Sequence, residues 1–473
     1  MLRYTNLSTI QKDLLNGTTT CVELVEHYLS NINKAKDLNV YIEVYEKEAR
    51  EKASALDEKI KAGTDQPGRL FGMVISIKDV LCYEGHEVTG GSKILTGFKS
   101  LYSATAIERL LAEDVIIIGR VNCDEFAMGS ANENSYYGPT KNALGENKVP
   151  GGSSGASAVS VQTDTCLASL GSDTGGSVRQ PAAFCGLIGM KPSYGRISRY
   201  GLLAYASSFD QIGTLTNSVE DAAILLEIMA GADAFDSTVS QQPVKTYSAL
   251  KTESKKRKIV YFKNTVESDQ LDATIQSATL DYIENLKAEG HEVTALDFKW
   301  LDYLIPAYYV LTTAEASSNL SRYDGVRFGH RSAETTSLSE TYQKSRTEGF
   351  GDEVKRRIML GTFVLSSGYY DAYYTKAQKV RRMISDYIQK VFESHDFIVM
   401  PVTPDVAWNI GENDTDPIKT YLADVYTVLA NMAGIPAISF PLGVKGGMPF
   451  GIQLMSPAFK ECQLLNFVFN TSK

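Results

Sequence analysis

Two segments rich in glycine and serine place hydroxyl groups where the backbone can turn sharply. They are residues 150–157 (PGGSSGAS) and residues 171–181 (GSDTGGSVRQP). One such cluster alone is most often a tight turn or a helix N-terminus, and a phosphate-binding loop is the next alternative. The first segment has no Lys-Ser or Lys-Thr after its glycines, and the second lacks the GxGxxG spacing. Both observations disfavour phosphate binding.

The second segment could supply a nucleophile together with a site for an oxyanion. Residues 167–171 are predicted to form a strand, which places Ser177 at a strand-to-turn junction after Thr174, Gly175 and Gly176. Glycines let successive backbone N–H groups point at one place with no side chain in the way. Acyl transfer depends on such donors, and losing one typically lowers the rate about 10²–10³-fold. The segment therefore predicts acyl-transfer chemistry at Ser177.

A serine nucleophile needs a base, and the sequence points to lysine rather than histidine. The five histidines are scattered, and none lies in or beside either segment. Lys78 lies near the end of residues 72–80, an apolar and β-branched stretch that predicts a strand. Taken alone, Lys78 is better interpreted as a solvent-facing lysine. Together with the two serine segments it becomes the candidate base, because burial can lower the pKa of a lysine by about 3–5 units.

The elements around these residues follow a strand–helix–strand rhythm that indicates an α/β protein with a buried sheet. The first sixty residues are predicted to be helical, since apolar residues recur at helical spacing among charges. A helix is predicted at residues 104–113 and a buried strand at 115–119. Further helices are expected at 219–230 and 272–289, and further strands at 259–262, 397–400 and 437–442.

Composition excludes several classes of function. The 473-residue chain has a formal net charge of -9, which argues against broad nucleic-acid binding, since phosphate contacts need a basic surface. The basic run at residues 255–258 is better explained as a solvated loop than as a nucleic-acid patch. The six cysteines and five histidines lack metal-ligand spacing, so we expect no metal site and mostly buried cysteines. With no signal peptide and no apolar stretch near the roughly 20 residues of a membrane span, we expect a soluble, cytoplasmic protein.

Three segments together resemble the amidase signature family: residues 76–79 (SIKD), 150–155 (PGGSSG) and 171–181. The likeness covers nearly the whole chain and implies an α/β fold with a central mixed β-sheet covered by helices on both faces. We see no repeat or linker, so residues 1–473 are expected to form a single domain, with residues 1–65 as a helical segment packed on it. Longer segments narrow the resemblance to the A subunits of tRNA-dependent amidotransferases, a group within this family: 124–130 (DEFAMGS), 186–196 (GLIGMKPSYGR), 207–213 (SSFDQIG), 318–325 (SNLSRYDG) and 360–371 (LGTFVLSSGYYD).

The resemblance implies roles for individual residues. Ser177 would be the acyl-forming nucleophile, Ser153 a bridging serine that follows a cis peptide, and Lys78 the terminal base. The backbone at Thr174, Gly175 and Gly176, with Ser177, would form the oxyanion hole. One departure is Ala156, where the family often has a second glycine; this small change casts little doubt on catalysis.

The resemblance also implies which residues bind glutamine. Arg357 would hold the carboxylate, Asp424 the ammonium group, and Tyr308 would lie nearby. A guanidinium suits a carboxylate because it can bind it in a bidentate way. Since Arg356 precedes Arg357, either arginine could instead be a charge on a helix surface.

The function implied is glutamine hydrolysis to glutamate and ammonia within a heterotrimeric amidotransferase. This chain would need no cofactor, and a B subunit would use ATP and Mg²⁺ to activate misacylated tRNA, which it would mainly hold. A small C subunit would brace the complex. The sequence leaves open whether Glu-tRNA(Gln), Asp-tRNA(Asn) or both receive the ammonia.

Two alternatives remain. A stand-alone amidase acting on small amides would use the same three residues and need no partner. A non-catalytic scaffold or ligand-binding protein would keep the glycine segments as structure, but the presence of both Lys78 and Ser177 argues against it.

Overall fold

Eleven strands form one sheet in the computed structural model, which describes residues 3–63, 66–412 and 417–472. The strands are β1 (Tyr41–Val44), β2 (Val74–Lys78), β3 (Ile116–Val121), β4 (Ala168–Asp173), β5 (Ile188–Lys191), β6 (Gln211–Thr216), β7 (Lys258–Phe262), β8 (Glu292–Leu296), β9 (Phe397–Pro401), β10 (Ala437–Lys445) and β11 (Met448–Met455).

The helices alternate with the strands along much of the chain. They are α1 (Leu7–Leu15), α2 (Cys21–Lys34), α3 (Glu46–Ala62), α4 (Thr105–Ala112), α5 (Gly155–Gln162), α6 (Arg179–Cys185), α7 (Val219–Met229), α8 (Lys263–Val266), α9 (Ala273–Ala288), α10 (Leu301–Asn319), α11 (Leu338–Gly349), α12 (Asp352–Val364), α13 (Lys376–Phe392), α14 (Pro417–Leu422), α15 (Val428–Met432) and α16 (Glu461–Thr471). A π-helical turn, Asp371–Thr375, leads into α13.

The sheet is mixed. Its strand order is β1-β3-β2-β4-β6-β5-β10-β11-β9-β7-β8. Strand β2 runs parallel to both β3 and β4, and β7 runs parallel to both β8 and β9, while the pairs between these groups are antiparallel. The position of β2 between two parallel neighbours places its last residue, Lys78, deep in the protein.

Both faces of the sheet are covered by helices, as the alternation of side chains along β9 shows. Phe397 and Val399 pack into one core cluster, which also receives side chains of α1 to α7, α9 and α16. Ile398 and Met400 point the other way, into a cluster with α10, α12, α13 and α15. The predicted α/β fold with a helix-covered mixed sheet is confirmed.

The predicted elements at Lys78, at 115–119 and in the later strands are present with shifted ends, and five of the six cysteines are buried. The prediction of an all-helical N-terminus is wrong at Tyr41–Val44, which forms β1 and pairs antiparallel with β3. This strand has only four residues, so periodicity cannot separate it from the helices around it. Residues 1, 2, 64 and 65 of the predicted N-terminal segment lie outside the described residues.

The pattern of the sequence also fails to predict β5, β6, β8 and β11. Strands β5 and β6 lie in or beside the glycine-rich region, where the many small residues obscure the alternation of apolar and polar side chains that marks a strand. Among the described residues, no helix is both long and apolar enough to cross a bilayer.

Candidate active site

Lys78 ends β2 and is completely buried. Its Nζ donates three hydrogen bonds, all to serine hydroxyls: to Ser153 Oγ at 2.7 Å, to Ser172 Oγ at 2.9 Å and to Ser154 Oγ at 3.0 Å. Burial lowers the pKa of Lys78 to about 8, although nearby acidic groups, Asp124 among them, oppose the shift. The alternative of a solvent-facing lysine does not describe this side chain.

The three hydroxyls around Lys78 differ in what they can do for a neutral amine. A protonated lysine has three N–H donors, whereas the neutral amine has two and a lone pair that needs a donor. The hydroxyl of Ser154 already donates to the carbonyl of Ser172 at 3.1 Å. The lone pair of a neutral Lys78 would therefore accept from Ser153 or Ser172, so a proton can move from Ser153 to Lys78.

The segment that carries Ser153 is held by side chains from neighbouring loops. The peptide bond between Gly152 and Ser153 is cis. The N–H of Gly152 donates to Gln180 Oε1 at 2.8 Å, and a Cβ on Gly152 would lie 2.2 Å from Asp124 Oδ2. Only glycine fits there, because the Asp124 carboxylate occupies that space while it accepts backbone hydrogen bonds from residues 132–134. Asp124 thus supports the loop that presents Ser153.

Ser177 lies in the turn between β4 and α6 and is 8% exposed. Its carbonyl oxygen accepts a hydrogen bond from the N–H of Ser154 at 3.2 Å, which fixes the two serine segments side by side. Among the described residues, none forms a hydrogen bond with the Ser177 hydroxyl. The hydroxyl is therefore left without a competing partner.

The turn before Ser177 needs its two glycines. Gly176 has a φ of 140°, and a Cβ there would lie 2.2 Å from Thr427 Oγ1. A Cβ on Gly175 would lie 2.5 Å from the hydroxyl oxygen of Tyr308. The predicted site residue Tyr308 therefore contacts the turn directly.

The backbone donors of this turn are not equivalent. The N–H of Gly176 donates to Asp173 Oδ1 at 3.0 Å. In the described part of the chain, no residue accepts a hydrogen bond from the N–H groups of Thr174, Gly175 or Ser177. These three N–H groups are available to donate hydrogen bonds to an oxyanion, whereas the N–H of Gly176 would first have to break its bond to Asp173.

A buried ion pair, Asp173 with Arg179, holds the shape of the turn, and neither residue is among those predicted from the sequence. Asp173 accepts from the N–H of Gly176 and of Val178 and pairs with Arg179 at 3.0 Å. Burial alone raises the pKa of Asp173, but Arg179 outweighs it and the pKa falls to about 2. The sequence signal that could have found the pair is an acid and an arginine six residues apart, flanking the serine.

Arg179 joins this turn to the C-terminal part of the sheet. Beyond Asp173, its guanidinium donates to the Thr427 carbonyl at 2.8 Å, to Gln453 Oε1 at 2.8 Å and to Asn431 Oδ1 at 2.7 Å. The hydroxyl of Thr427 in turn donates to the Gly175 carbonyl at 2.6 Å. The turn of residues 174–177, which we call the oxyanion turn, is thus tied to residues 427–453 through the Gly175 carbonyl and through the Asp173–Arg179 pair.

Arg357 lies on α12 and is 4% exposed, whereas the side chain of Arg356 is 52% exposed. The interpretation as a helix surface charge therefore suits Arg356 and not Arg357. The Nε of Arg357 donates to Glu353 Oε1 at 2.8 Å, and its Nη1 donates to the Tyr205 hydroxyl at 2.8 Å. The guanidinium carbon also lies 5.2 Å from the centre of the Tyr309 ring. Its Nη2 donates no hydrogen bond to any described residue.

Asp424 is buried and lies close to the turn. Its Oδ2 accepts a hydrogen bond from Ser130 Oγ at 2.5 Å, and its carbonyl accepts from the N–H of Thr427 at 3.1 Å. Burial raises the pKa of Asp424 to about 7, while Ser130 and the charge of Arg357 act in the opposite direction. A cationic group placed beside this carboxylate would favour its ionised form.

The structure thus joins Lys78 to Ser153, the adjacent Ser154 to Ser177, and Tyr308 and the Asp424 segment to the oxyanion turn. Arg357 is buried and shares no hydrogen bond with the other predicted site residues in the described ranges. Within those ranges, no group of three or more His, Cys, Asp or Glu side chains could hold a metal ion.

Comparison with known proteins shows which family this chain belongs to. A family model described as Amidase matches residues 23–465. The chain belongs to the amidase family. It is 48% identical over 466 residues to the A subunit of the glutamyl-tRNA(Gln) amidotransferase of Chlorobium luteolum, with 98% of this chain and 96% of that protein covered.

Two solved structures show the same fold as this amidase. The A subunit of the glutamyl-tRNA(Gln) amidotransferase of Thermotoga maritima superposes with a TM-score of 0.78 at 36% identity, covering 94% of this chain and 89% of that chain. A bacterial aryl acylamidase of the amidase signature family gives a TM-score of 0.87 at 21% identity over 99% of this chain and 96% of that chain. The second likeness concerns the fold alone.

We expect the Asp173–Arg179 pair to dominate the stability of the site. Asp173→Asn leaves the buried Arg179 without its carboxylate, which costs about 3–5 kcal/mol in free energy of unfolding. The matched control is Asp386→Asn, which breaks the exposed pair with Arg382 and costs less than about 1 kcal/mol. Urea unfolding of both variants measures the difference; equal effects would contradict the importance assigned to the buried pair.

Proposed function

We propose that this amidase is the glutaminase subunit of a tRNA-dependent amidotransferase. It hydrolyses glutamine to glutamate and ammonia, and the ammonia converts Glu-tRNA(Gln) to Gln-tRNA(Gln). The observation that carries the proposal is the buried Lys78 amine, 2.7 Å from Ser153 and beside the segment of Ser177. The near full-length match to proteins named as A subunits of glutamyl-tRNA(Gln) amidotransferase supports the tRNA-dependent role and favours Glu-tRNA(Gln) over Asp-tRNA(Asn) as the acceptor.

In the first step Ser177 is the nucleophile. Its Oγ attacks the side-chain amide carbon of glutamine, its proton passes to Ser153, and the proton of Ser153 passes to the neutral amine of Lys78. The oxyanion that forms is stabilised by N–H groups of the turn, first those of Thr174, Gly175 and Ser177. Preorganised donors of this kind lower the barrier because they need no reorientation during the reaction.

In the second step the C–N bond breaks. The leaving nitrogen takes a proton from Ser153, which recovers one from the Lys78 ammonium, so ammonia departs and Lys78 becomes neutral again. Water then attacks the glutamyl–Ser177 ester with the same relay as base. Glutamate is released and the Ser177 hydroxyl is restored, so each proton taken up is returned.

Glutamine would be held by its amino-acid end. The Nη2 of Arg357, which bonds to no described residue, suits the carboxylate, and the Asp424 carboxylate suits the ammonium group, which would also keep Asp424 ionised. Tyr308 lies against Gly175, and its ring packs against that of Tyr309, which lies beside the Arg357 guanidinium. The side chain of glutamine would then extend towards Ser177.

The proposal includes the setting of this activity. We infer a B subunit that uses ATP and Mg²⁺ and holds most of the tRNA, together with a bracing C subunit, in a complex located in the cytoplasm; this chain itself needs no cofactor. We further propose that residues 1–473 form one domain. In support, one sheet joins strands from Tyr41 to Met455, and α1 and α2 bury Leu7, Ile10 and Leu24 in the same core as the sheet.

The alternative is a stand-alone amidase for small amides. It would use the same Lys78, Ser153 and Ser177 but would have no need of a buried arginine. The burial of Arg357 and Asp424 near the turn favours an amino-acid substrate instead.

Ammonia release from glutamine tests the function directly. We expect the full complex with partner subunits, ATP and charged tRNA to release ammonia much faster than the chain alone. Ser177→Ala should abolish the release without changing the fold, because it removes only the hydroxyl proposed as the nucleophile. Fast turnover of simple amides by the chain alone, with no stimulation by the mixture, would identify the stand-alone amidase.

We expect the pH profile to report the amine of Lys78. The relay needs a neutral amine, and the pKa of Lys78 is lowered by burial to about 8. The kcat/KM for glutamine should therefore rise with pH up to about 8 and then level off. Lys78→Ala should lose more than about 10²-fold in rate, whereas the exposed Lys47→Ala should keep both rate and profile. A profile without an inflection near 8 would argue against Lys78 as the base.

Arg357 and Arg356 provide a matched pair for the substrate site. Arg357→Ala should raise KM for glutamine about tenfold or more, since it removes a charged hydrogen bond to the carboxylate. It should leave hydrolysis of propionamide, which lacks that carboxylate, nearly unchanged. Arg356→Ala should change neither reaction. Equal losses with both amides would assign Arg357 to the framework rather than to substrate binding.

A further inference from the structure

Residues 205–210, which lead directly into β6, contact three separate parts of the site. We call them the Tyr205–Asp210 loop. The loop touches Arg357, the oxyanion turn and Tyr308. None of its own side chains takes part in the proposed proton relay.

The first contact orients Arg357. The Tyr205 hydroxyl accepts the 2.8 Å hydrogen bond from Nη1 of Arg357, and Tyr205 is 1% exposed. Glu353 holds the opposite side of the same guanidinium through Nε. An arginine side chain has many rotamers, so these two bonds decide where Nη2 points.

The second contact reaches the oxyanion turn. Thr174 Oγ1 donates to Asp210 Oδ1 at 2.7 Å. The other oxygen of Asp210 accepts the N–H groups of Tyr205 and Ala206, both at 3.0 Å. One buried carboxylate thus bonds to the turn with one oxygen and to the backbone of Tyr205 with the other.

The third contact is with Tyr308, and further bonds hold the outer side of the loop. The ring of Phe209 meets Tyr308 edge to face at 5.7 Å between centroids. On the outer side, the guanidinium of Arg381 donates to Ser208 Oγ at 2.7 Å, and Asn319 donates to the Tyr205 carbonyl at 3.1 Å. The loop therefore has little freedom to move Tyr205 relative to Thr174.

We propose that Tyr205 and Asp210 are positioning residues that fix the distance between Arg357 and the oxyanion turn, and so select amides of the length of glutamine. The proposal rests on the proposed function of Arg357 as the carboxylate-binding group. Three hydrogen bonds form the link: Arg357 bonds to the Tyr205 hydroxyl, the backbone N–H of Tyr205 bonds to Asp210, and Thr174 bonds to Asp210.

The chemistry explains why a fixed distance matters. Glutamine presents a carboxylate at one end and the scissile amide at the other, and asparagine is one methylene shorter. A displacement of about 1 Å can cost about 10²-fold in rate. If Arg357 is held rigidly with respect to the turn, asparagine is too short to bind Arg357 with its carboxylate and place its amide in the oxyanion turn at the same time. If Arg357 is mobile, the preference for glutamine over asparagine becomes smaller.

The test compares Tyr205→Phe with the wild type in the full complex. The substitution keeps the ring and removes only the hydrogen bond to Arg357. We expect KM for glutamine to rise about tenfold with kcat within about twofold, and the preference for glutamine over asparagine to fall. Hydrolysis of propionamide should stay unchanged. The control is Tyr282→Phe, whose hydroxyl bonds to Thr471 and whose ring packs in the other core cluster; it should change nothing.

The other end of the link is tested at Thr174. Thr174→Val removes the hydroxyl that bonds to Asp210, and Thr174→Ser keeps it. We expect Thr174→Val to lower kcat for glutamine and propionamide alike, about tenfold, and Thr174→Ser to stay near the wild type. If the link were purely structural, Tyr205→Phe and Thr174→Val would have the same kind of effect, instead of a change in KM for the first and a change in kcat for the second.

Binding of glutamine to the Ser177→Ala chain, measured by calorimetry, separates this inference from the proposed function. Tyr205→Phe in that background should weaken binding about tenfold. Unchanged binding would overturn the inference even if the wild-type complex is an active glutaminase. Absence of glutaminase activity in the wild-type complex, with propionamide still hydrolysed, would instead overturn the proposed function.

Discussion

The structure depends on a lysine amine that is buried among serine hydroxyls. Taking an ammonium group out of water is costly, and a carboxylate partner is the usual compensation. Among the described residues, Lys78 has no ion pair, and its three hydrogen bonds go to Ser153, Ser154 and Ser172. Burial lowers the pKa of Lys78 to about 8, so a substantial fraction of the amine is neutral near physiological pH, as the proposed base requires. The requirement for small hydroxyl groups on three sides explains why serines crowd both glycine-rich segments.

The buried carboxylates near Lys78 are bonded to other groups, so they do not pair with the amine and cancel the lowering of its pKa. Arg179 compensates the charge of Asp173, the buried carboxylate nearest the proposed nucleophile Ser177 in sequence, and uses its remaining donors on residues 427–453. Asp124 is engaged by backbone N–H groups of residues 132–134. Both carboxylates thus have their own partners, and Lys78 keeps its lowered pKa. The same bonds hold the oxyanion turn and the Ser153 segment in register.

Part of this could be predicted from the sequence. The apolar stretch ending at Lys78 and the two glycine–serine segments indicate a strand, two turns and a serine–lysine chemistry, because glycine and β-branched residues carry strong local signals. Apart from the Asp173–Arg179 pair, the partners that hold the site could not be predicted. Asp210, Tyr205 and Thr427 come from parts of the chain that are distant in sequence, and only the tertiary fold brings them to the turn. The short strand at Tyr41–Val44 is likewise hidden between two helices, since its stability comes from pairing with β3 rather than from its own pattern.

The most direct measurement is identification of the residue that a reactive glutamine analogue modifies. A diazoketone analogue of glutamine alkylates the nucleophile of a glutaminase, and peptide mass spectrometry of the labelled full complex locates the bond. We expect one label per chain, on Ser177. A label on Ser153, on a cysteine or on any other residue would contradict the assignment of nucleophile and relay.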